Sequence, residues 1–299
     1  MVEPIVHQIF EPKTSTWQYI VADPKTKNAV VIDSVLDYDP TKNLISSESA
    51  DNLLSVIAKE GYAILFVLET HVHADHLTAG KYLQNKLATI QGKKPQIGIG
   101  KRITSVQERF AGKYGISKAE WDGAFDRYFD DDENFTIGEL EGKALHLPGH
   151  TPDHLGYQIG SNVFCGDSLF NTDVGSARCD FPGGDANALY NSVQKLLSLP
   201  ENYRIYTGHD YPPGGDSGRK DPVPYMTVGD QLEQNKHLKK GTTEEQFVSW
   251  RKERDSGLAP PRLIHQSLQF NIRAGELPSA TTGGDRLLHL PLKVEGVAW

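Results

Sequence analysis

The sequence predicts a layered α/β fold, and three observations carry that prediction. Apolar strand-like runs alternate with helix-length segments from residue 17 through residue 207. One run, residues 62–69 (YAILFVLE), is too short for a core helix and too apolar for an edge strand. The composition, 38% hydrophobic and 23% charged with 28 Gly and 17 Pro in 299 residues, is that of a loop-rich globular chain. At roughly 150 residues per domain the length allows two domains, although large single α/β domains also reach it.

Residues 17–22 (WQYIVA) and 29–33 (AVVID), joined by the turn-like DPKTKN, form a β-hairpin. Leu53, Leu54 and Ile57 carry helical spacing over 48–60, and 62–69 follows as a buried central strand. The pattern then predicts a helix over 76–88 and a strand near 96–100. Residues 101–135 begin helical and end acidic, with Asp130, Asp131, Asp132 and Glu133 as a solvated turn. Strands return at 143–147, 155–159 and 162–165, followed by a helix at 186–198 and a strand at 203–207. From residue 211 the composition changes to YPPGGDSGRKDPVP, a linker without regular structure. A helix is expected over 227–239, and Thr242 with Glu245 resembles a capping box that starts another through about 255. The alternation in LIHQSLQFNI suits a strand. The organisation that follows is 1–211 as the catalytic domain and 212–299 as a C-terminal extension docked on it. An extension of about 70 residues, interrupted by Gly241 and Pro260-Pro261, holds little core of its own.

With 31 Lys+Arg against 39 Asp+Glu the chain carries a formal charge of −8, which argues against nucleic acid or an anionic membrane as partner. Two cysteines, Cys165 and Cys179, make no disulfide framework. No stretch approaches the roughly 18 apolar residues of a membrane span, and Met1 to Trp17 lacks a signal region. A cytoplasmic protein acting on a small molecule is expected, with a homodimer as one candidate assembly.

The chemistry concentrates in histidines. Of eleven, three lie in the segment His71-Val72-His73-Ala74-Asp75-His76, directly after the buried strand. His71 and His73, two apart on extended chain, point the same way. Asp75 and His76 are expected to begin the next helix and face a second position. Pro148-Gly149-His150-Thr151, Cys165-Gly166-Asp167 and Thr207-Gly208-His209-Asp210 each follow a strand in the same manner. Four strand exits, all with metal-competent side chains, are hard to explain as packing.

In that order and spacing, the motifs resemble the metallo-β-lactamase fold superfamily over about residues 15–211. The resemblance implies a four-layer αββα sandwich, here with a C-terminal helical extension, and metals at one edge between its sheets. It implies one metal on His71, His73 and His150, a second on Asp75, His76 and His209, and Asp167 bridging them. Asp75 and Asp167 are then the catalytic carboxylates as well. Within the superfamily, Gly175-Ser176-Ala177-Arg178-Cys179-Asp180-Phe181 resembles the branch of glyoxalase II and persulfide dioxygenases. Cys179 and Pro182 depart from the Arg-Thr-Asp-Phe common there. Residues 227–278 have no expected counterpart in the shorter dioxygenases and resemble a longer-tailed branch that includes isothiocyanate hydrolases.

Two reactions fit this donor set. A hydrolase with two Zn²⁺ would direct a metal-bound hydroxide at a small electrophile, an isothiocyanate or a thioester or lactone. A mononuclear glutathione-persulfide dioxygenase with one Fe²⁺ would need only His71, His150 and Asp167 and would take a thiol-derived substrate. Cys179, Pro182 and the long tail favour the hydrolase. A non-enzymatic reading, a metal-binding scaffold or a degenerate member serving as an interaction module, is disfavoured because no ligand is missing. Arg178 is expected at the substrate or on Asp180, and Tyr211 is the other candidate substrate-binding residue. Trp17 and Tyr19 are expected in the core, Cys165 in buried packing, and His154 beside the ligands or at the surface. His265 and Arg273 remain unassigned. The tail is assigned to the substrate pocket or a dimer interface, not to metal binding.

Overall fold

The computed structural model describes residues 2–214 and 218–296. Strands β1 (Ile5–Glu11), β2 (Thr16–Ala22) and β3 (Asn28–Ile32) form an antiparallel meander. They lead to β4 (Val35–Asp39), β5 (Leu44–Ser46), α1 (Glu48–Glu60), β6 (Ala63–Leu68), β7 (Leu77–Thr78) and α2 (Gly80–Gln91). Then follow β8 (Gln96–Gly100), α3 (Ile103–Tyr114), β9 (Arg127–Phe129), β10 (Asn134–Ile137), β11 (Leu140–His146), β12 (Leu155–Ile159) and β13 (Asn162–Phe164). The chain continues through α4 (Ala186–Leu197), β14 (Arg204–Tyr206), β15 (Tyr225–Thr227), α5 (Val228–Gln234), α6 (Glu244–Ser256) and α7 (Ile264–Asn271).

Two six-stranded sheets, ordered β1-β2-β3-β6-β8-β9 and β10-β11-β12-β13-β14-β15, pack face to face. Tyr19, Val30, Ile32 and Leu68 of the first meet Ile137, Leu155, Tyr157, Phe164 and Tyr206 of the second in one buried core. Leu53 and Ile57 of α1 and Leu83 and Leu87 of α2 cover the outer face of the first sheet. Leu189, Val193 and Leu196 of α4, with Phe247 of α6, cover that of the second. The result is the αββα sandwich. The apolar run at 62–69 lies between β3 and β8, parallel to both, which explains its missing polar face.

Parallel pairing also gathers the motifs. Strands β3 and β6 end on one edge, and so do the parallel β13 and β14. A backbone bridge between Thr16, at the start of β2, and His209, beyond β14, ties those two ends together.

Several local expectations are corrected. Strand β1 was not foreseen. Helix α2 begins at Gly80, not residue 76, because Leu77 and Thr78 pair with Leu36 and Val35 of β4. Asp75 and His76 therefore lie in an irregular loop and not on a helix. Strand β15 joins the second sheet beyond the linker, three residues of which lie outside the described range, and α5 ends at Gln234. The capping box of α6 is Thr243 with Gln246, one residue beyond the expected pair. Segment 264–271 is helix α7. Its Leu268 packs with α3 and its Phe270 with α1 and α2, so it is apolar on two sides and mimics alternation.

Candidate metal centre

His71, His73, Asp75 and His76 follow β6, His150 lies between β11 and β12, Asp167 follows β13, and His209 follows β14. The structure brings all seven to one edge. Donor atoms of His71, His150 and Asp167 lie within 4.8 Å of one another, and those of His73, Asp75, His76 and His209 form a second such group. The His73 ring stands between the groups, 4.2 Å from the ring centroids of both His71 and His76. Asp75 Oδ2 is 3.3 Å from His209 Nε2, and Asp167 reaches both groups, 3.7 Å from His150 Nε2 and 3.5 Å from His209 Nε2. Gly208 makes this approach possible, since a Cβ there would stand 2.5 Å from Asp167 Oδ1.

Each histidine spends one nitrogen on the protein. His71 Nδ1 meets Thr70 Oγ1 at 3.0 Å, His73 Nε2 meets Asp33 Oδ1 at 3.2 Å, and His150 Nδ1 donates to Arg178 O at 2.7 Å. His76 Nδ1 meets Asp75 Oδ2 at 3.4 Å, and His209 Nδ1 meets Thr16 Oγ1 at 3.3 Å. The other nitrogen of four of them (His71 Nε2, His73 Nδ1, His76 Nε2 and His209 Nε2) is buried without a hydrogen-bond partner, as is Asp167 Oδ1. A buried polar atom left unpaired costs about 1–3 kcal/mol. Orphaned donors gathered in two adjoining groups, each ring fixed from behind, are the pattern of metal ligands. The residues fit a metal.

The electrostatics agree. Burial holds the pKa of His71 and of His154 well below the usual imidazole range, so both are neutral. At His73 burial opposes charge, but Asp33 and Glu69 outweigh it and hold its pKa well above that range. Asp33 keeps one proton on Nε2, so binding a metal at Nδ1 displaces the other. At Asp75 burial is likewise outweighed, by His209 and His76, and the group stays ionised.

A profile of the metallo-β-lactamase superfamily matches residues 12–209. The chain belongs to this superfamily. A probable metallo-hydrolase of Burkholderia pseudomallei is 41% identical over 300 residues, covering 96% of this chain and 98% of that protein. The mitochondrial persulfide dioxygenase ETHE1 of Bos taurus is 31% identical over 210 residues, 69% of this chain and 68% of its own. Among solved structures, ETHE1 from Myxococcus xanthus superimposes with a TM-score of 0.71 at 27% identity, covering 91% of this chain and all of that one. That coverage cannot be met by residues 1–211 alone. That superposition therefore spans part of the tail, whereas the sequence match to the bovine ETHE1 covers 69% of this chain.

Within this superfamily frame the remaining residues find places. A cavity of about 350 Å³ opens beside the ligands, lined by Lys13, Thr14, Asp75, His150, Asp167, Phe170, Arg178, Tyr211 and Arg262 among others. Arg178 does both things expected of it: it lines this cavity and forms a double contact with Asp180, both at 2.5 Å. The Tyr211 ring stacks on His209 at 5.9 Å and 14°. Trp17, Tyr19 and Cys165 are core residues. His154 is buried and stacks on His71 at 4.7 Å, and its Nε2 accepts from Asp167 N at 3.0 Å. His265 bonds Tyr114, and Arg273 pairs with Glu120. Sequence reading missed Asp33, Glu69, Lys13 and Arg262. Asp33 and Glu69 left a signal, each as an acid closing an apolar run. Among the described residues no helix is long and apolar enough to cross a membrane.

Proposed function

We propose that the protein is a mononuclear iron dioxygenase acting on a small thiol persulfide. The observation that carries this is the separate grouping of His71, His150 and Asp167, two imidazoles and one carboxylate, the donor set of non-haem Fe(II) oxygenases. Likeness to ETHE1 along 91% of the chain supports the same reading.

An iron held by His71, His150 and Asp167 would supply redox chemistry between dioxygen and a sulfur donor. The net reaction joins persulfide, dioxygen and water to give thiol, sulfite and two protons, the outer sulfur being oxidised. The chain's own residues bind and orient. His154 fixes Asp167 through the backbone N–H of that residue. Lys13, Arg178 and Arg262 give the cavity a positive rim suited to an anionic thiol carrier, and Phe170 and Ala177 supply its apolar wall. Asp75, held ionised beside His209, gives the cavity a polar wall.

A second reading, a dinuclear zinc hydrolase of an isothiocyanate, thioester or lactone, is favoured by the unpartnered Nδ1 of His73 and Nε2 of His76 and His209 beside Asp75. The relative named a probable metallo-hydrolase supports it too. Elemental analysis of protein purified without added metal, with oxygen uptake on glutathione persulfide and amine release from an isothiocyanate, separates the two. One equivalent of iron and oxygen uptake are expected. Two equivalents of zinc with amine release and no oxygen uptake would establish the hydrolase instead.

A further inference from the structure

Residues 71–76 form an irregular loop, so their carbonyls have no ladder or helix partner. Two of them are met from the far end of the chain. Asn271 Nδ2 donates to His73 O and to His76 O, each at 2.8 Å, and Asn271 Oδ1 accepts from Thr78 N at 2.9 Å. Both amide hydrogens and the amide oxygen are thereby committed to one short arc of backbone. The side chain belongs to a residue only 3% exposed.

The tail is seated firmly enough to act as a clamp. Gln107 of α3 donates to Ile272 O at 2.9 Å, and Arg273 pairs with Glu120 at 2.8 Å. The chain after α7 then passes close to β7 and the start of α2. Gly275 has φ +84°, and a Cβ there would stand 3.0 Å from Thr78 O and 3.2 Å from Lys81 N. A side chain at Gly80 would meet Ala274 O at 3.1 Å.

We propose that Asn271 is a positioning residue for the metal centre, and that the C-terminal extension completes the site without supplying a ligand. Holding the carbonyls of His73 and His76 fixes their backbone, and with it the direction in which each imidazole leaves the loop. The extension therefore governs metal affinity, so truncation at Pro222 would lower metal content and not leave it intact. This inference rests on the metal-site assignment and is independent of which reaction the site performs.

The test uses Co²⁺ as probe. Metal-free wild type, Asn271→Ala, Asn271→Asp and Gln269→Ala are titrated while the d–d absorption is followed, and the Tm of each metal-free protein is recorded. Gln269→Ala removes bonds to His265 O and His289 O, loosening the same helix without touching the loop. Both Asn271 variants should bind Co²⁺ about tenfold to a hundredfold more weakly, with a changed absorption envelope. Gln269→Ala should keep the wild-type affinity and spectrum even where its Tm falls. Wild-type affinity and spectrum in Asn271→Ala, or an equal loss in Gln269→Ala, would overturn the proposal. Should Asn271→Ala not fold, Asn271→Asp, which has the same shape and keeps the acceptor for Thr78 N, gives the same readings. No Co²⁺ binding by the wild type would overturn the site assignment, and this inference with it.

Discussion

His73 Nε2 lies 3.2 Å from Asp33 Oδ1, and this bond behind the ring leaves Nδ1 as the one nitrogen free to meet a cation. Asp33 is itself held by Thr70, whose N–H and Oγ1 donate to it at 2.7 and 2.9 Å. Its backbone has φ +53°, a left-handed conformation that costs a non-glycine residue on the order of 1–3 kcal/mol. A buried, strained aspartate just beyond β3 thus orients the His73 ring.

Asp33→Ala should leave the His73 ring free to turn and leave Thr70 without its acceptor. Metal affinity should fall about tenfold to a hundredfold, the range found when the partner of a ligating histidine is removed. Metal content after extensive dialysis checks this, and wild-type retention would refute it.

Arg262 lines the cavity beside the ligands and, among the described residues, has no carboxylate partner. Arg178, in contrast, is already paired with Asp180. Arg262→Ala should raise KM for an anionic substrate about tenfold, the loss of one charge-assisted hydrogen bond, with kcat nearly unchanged. A loss confined to kcat would place Arg262 elsewhere in the reaction.

The seven candidate ligands were legible because each follows a strand, and parallel pairing carries strand ends to one edge. Their partners were not. Asp33 and His73 are 40 residues apart and Asn271 and His73 are 198 apart, so no local spacing links them. The start of α2 was misplaced for the same kind of reason, since pairing of Leu77 and Thr78 with β4 overrides the helical pattern there. Helix α7 was read as a strand because Leu268, Phe270 and Ile272 alternate, and burial between two helical layers makes a helix look like that.

Removing metal should lower stability by simple linkage. At a free metal concentration about 1,000 times Kd the bound ion contributes about 4 kcal/mol. For a chain of 299 residues, at an unfolding entropy of about 2.1 cal/mol/K per residue, that is roughly 6–7 °C in Tm. Melting curves with and without a chelator measure it, and coincident curves would contradict the site.

Asp23 offers a pH test far from the metal. It is buried and accepts from Glu139 N at 2.7 Å, Thr26 Oγ1 at 2.7 Å and Lys25 N at 2.9 Å. Burial opposes its charge, but these bonds outweigh it and bring its pKa from 3.8 down to about 2. A carboxyl depressed on folding binds more protons when unfolded, so its stabilisation is present above about pH 4 and is lost as pH falls toward 2. The Tm gap between wild type and Asp23→Asn should shrink across that window. A gap that stays constant from pH 5 to 2 would contradict the assignment.

The central claim is that His71, His150 and Asp167 hold the working metal while Asp75, His76 and His209 support it. The most direct measurement is metal content with oxygen uptake on glutathione persulfide for His71→Ala beside His209→Ala. The account predicts that His71→Ala loses both its iron and its oxygen uptake, whereas His209→Ala keeps close to one equivalent of iron and measurable uptake. If His209→Ala instead loses one of two metal equivalents together with all activity, the centre is dinuclear and the dioxygenase reading is contradicted.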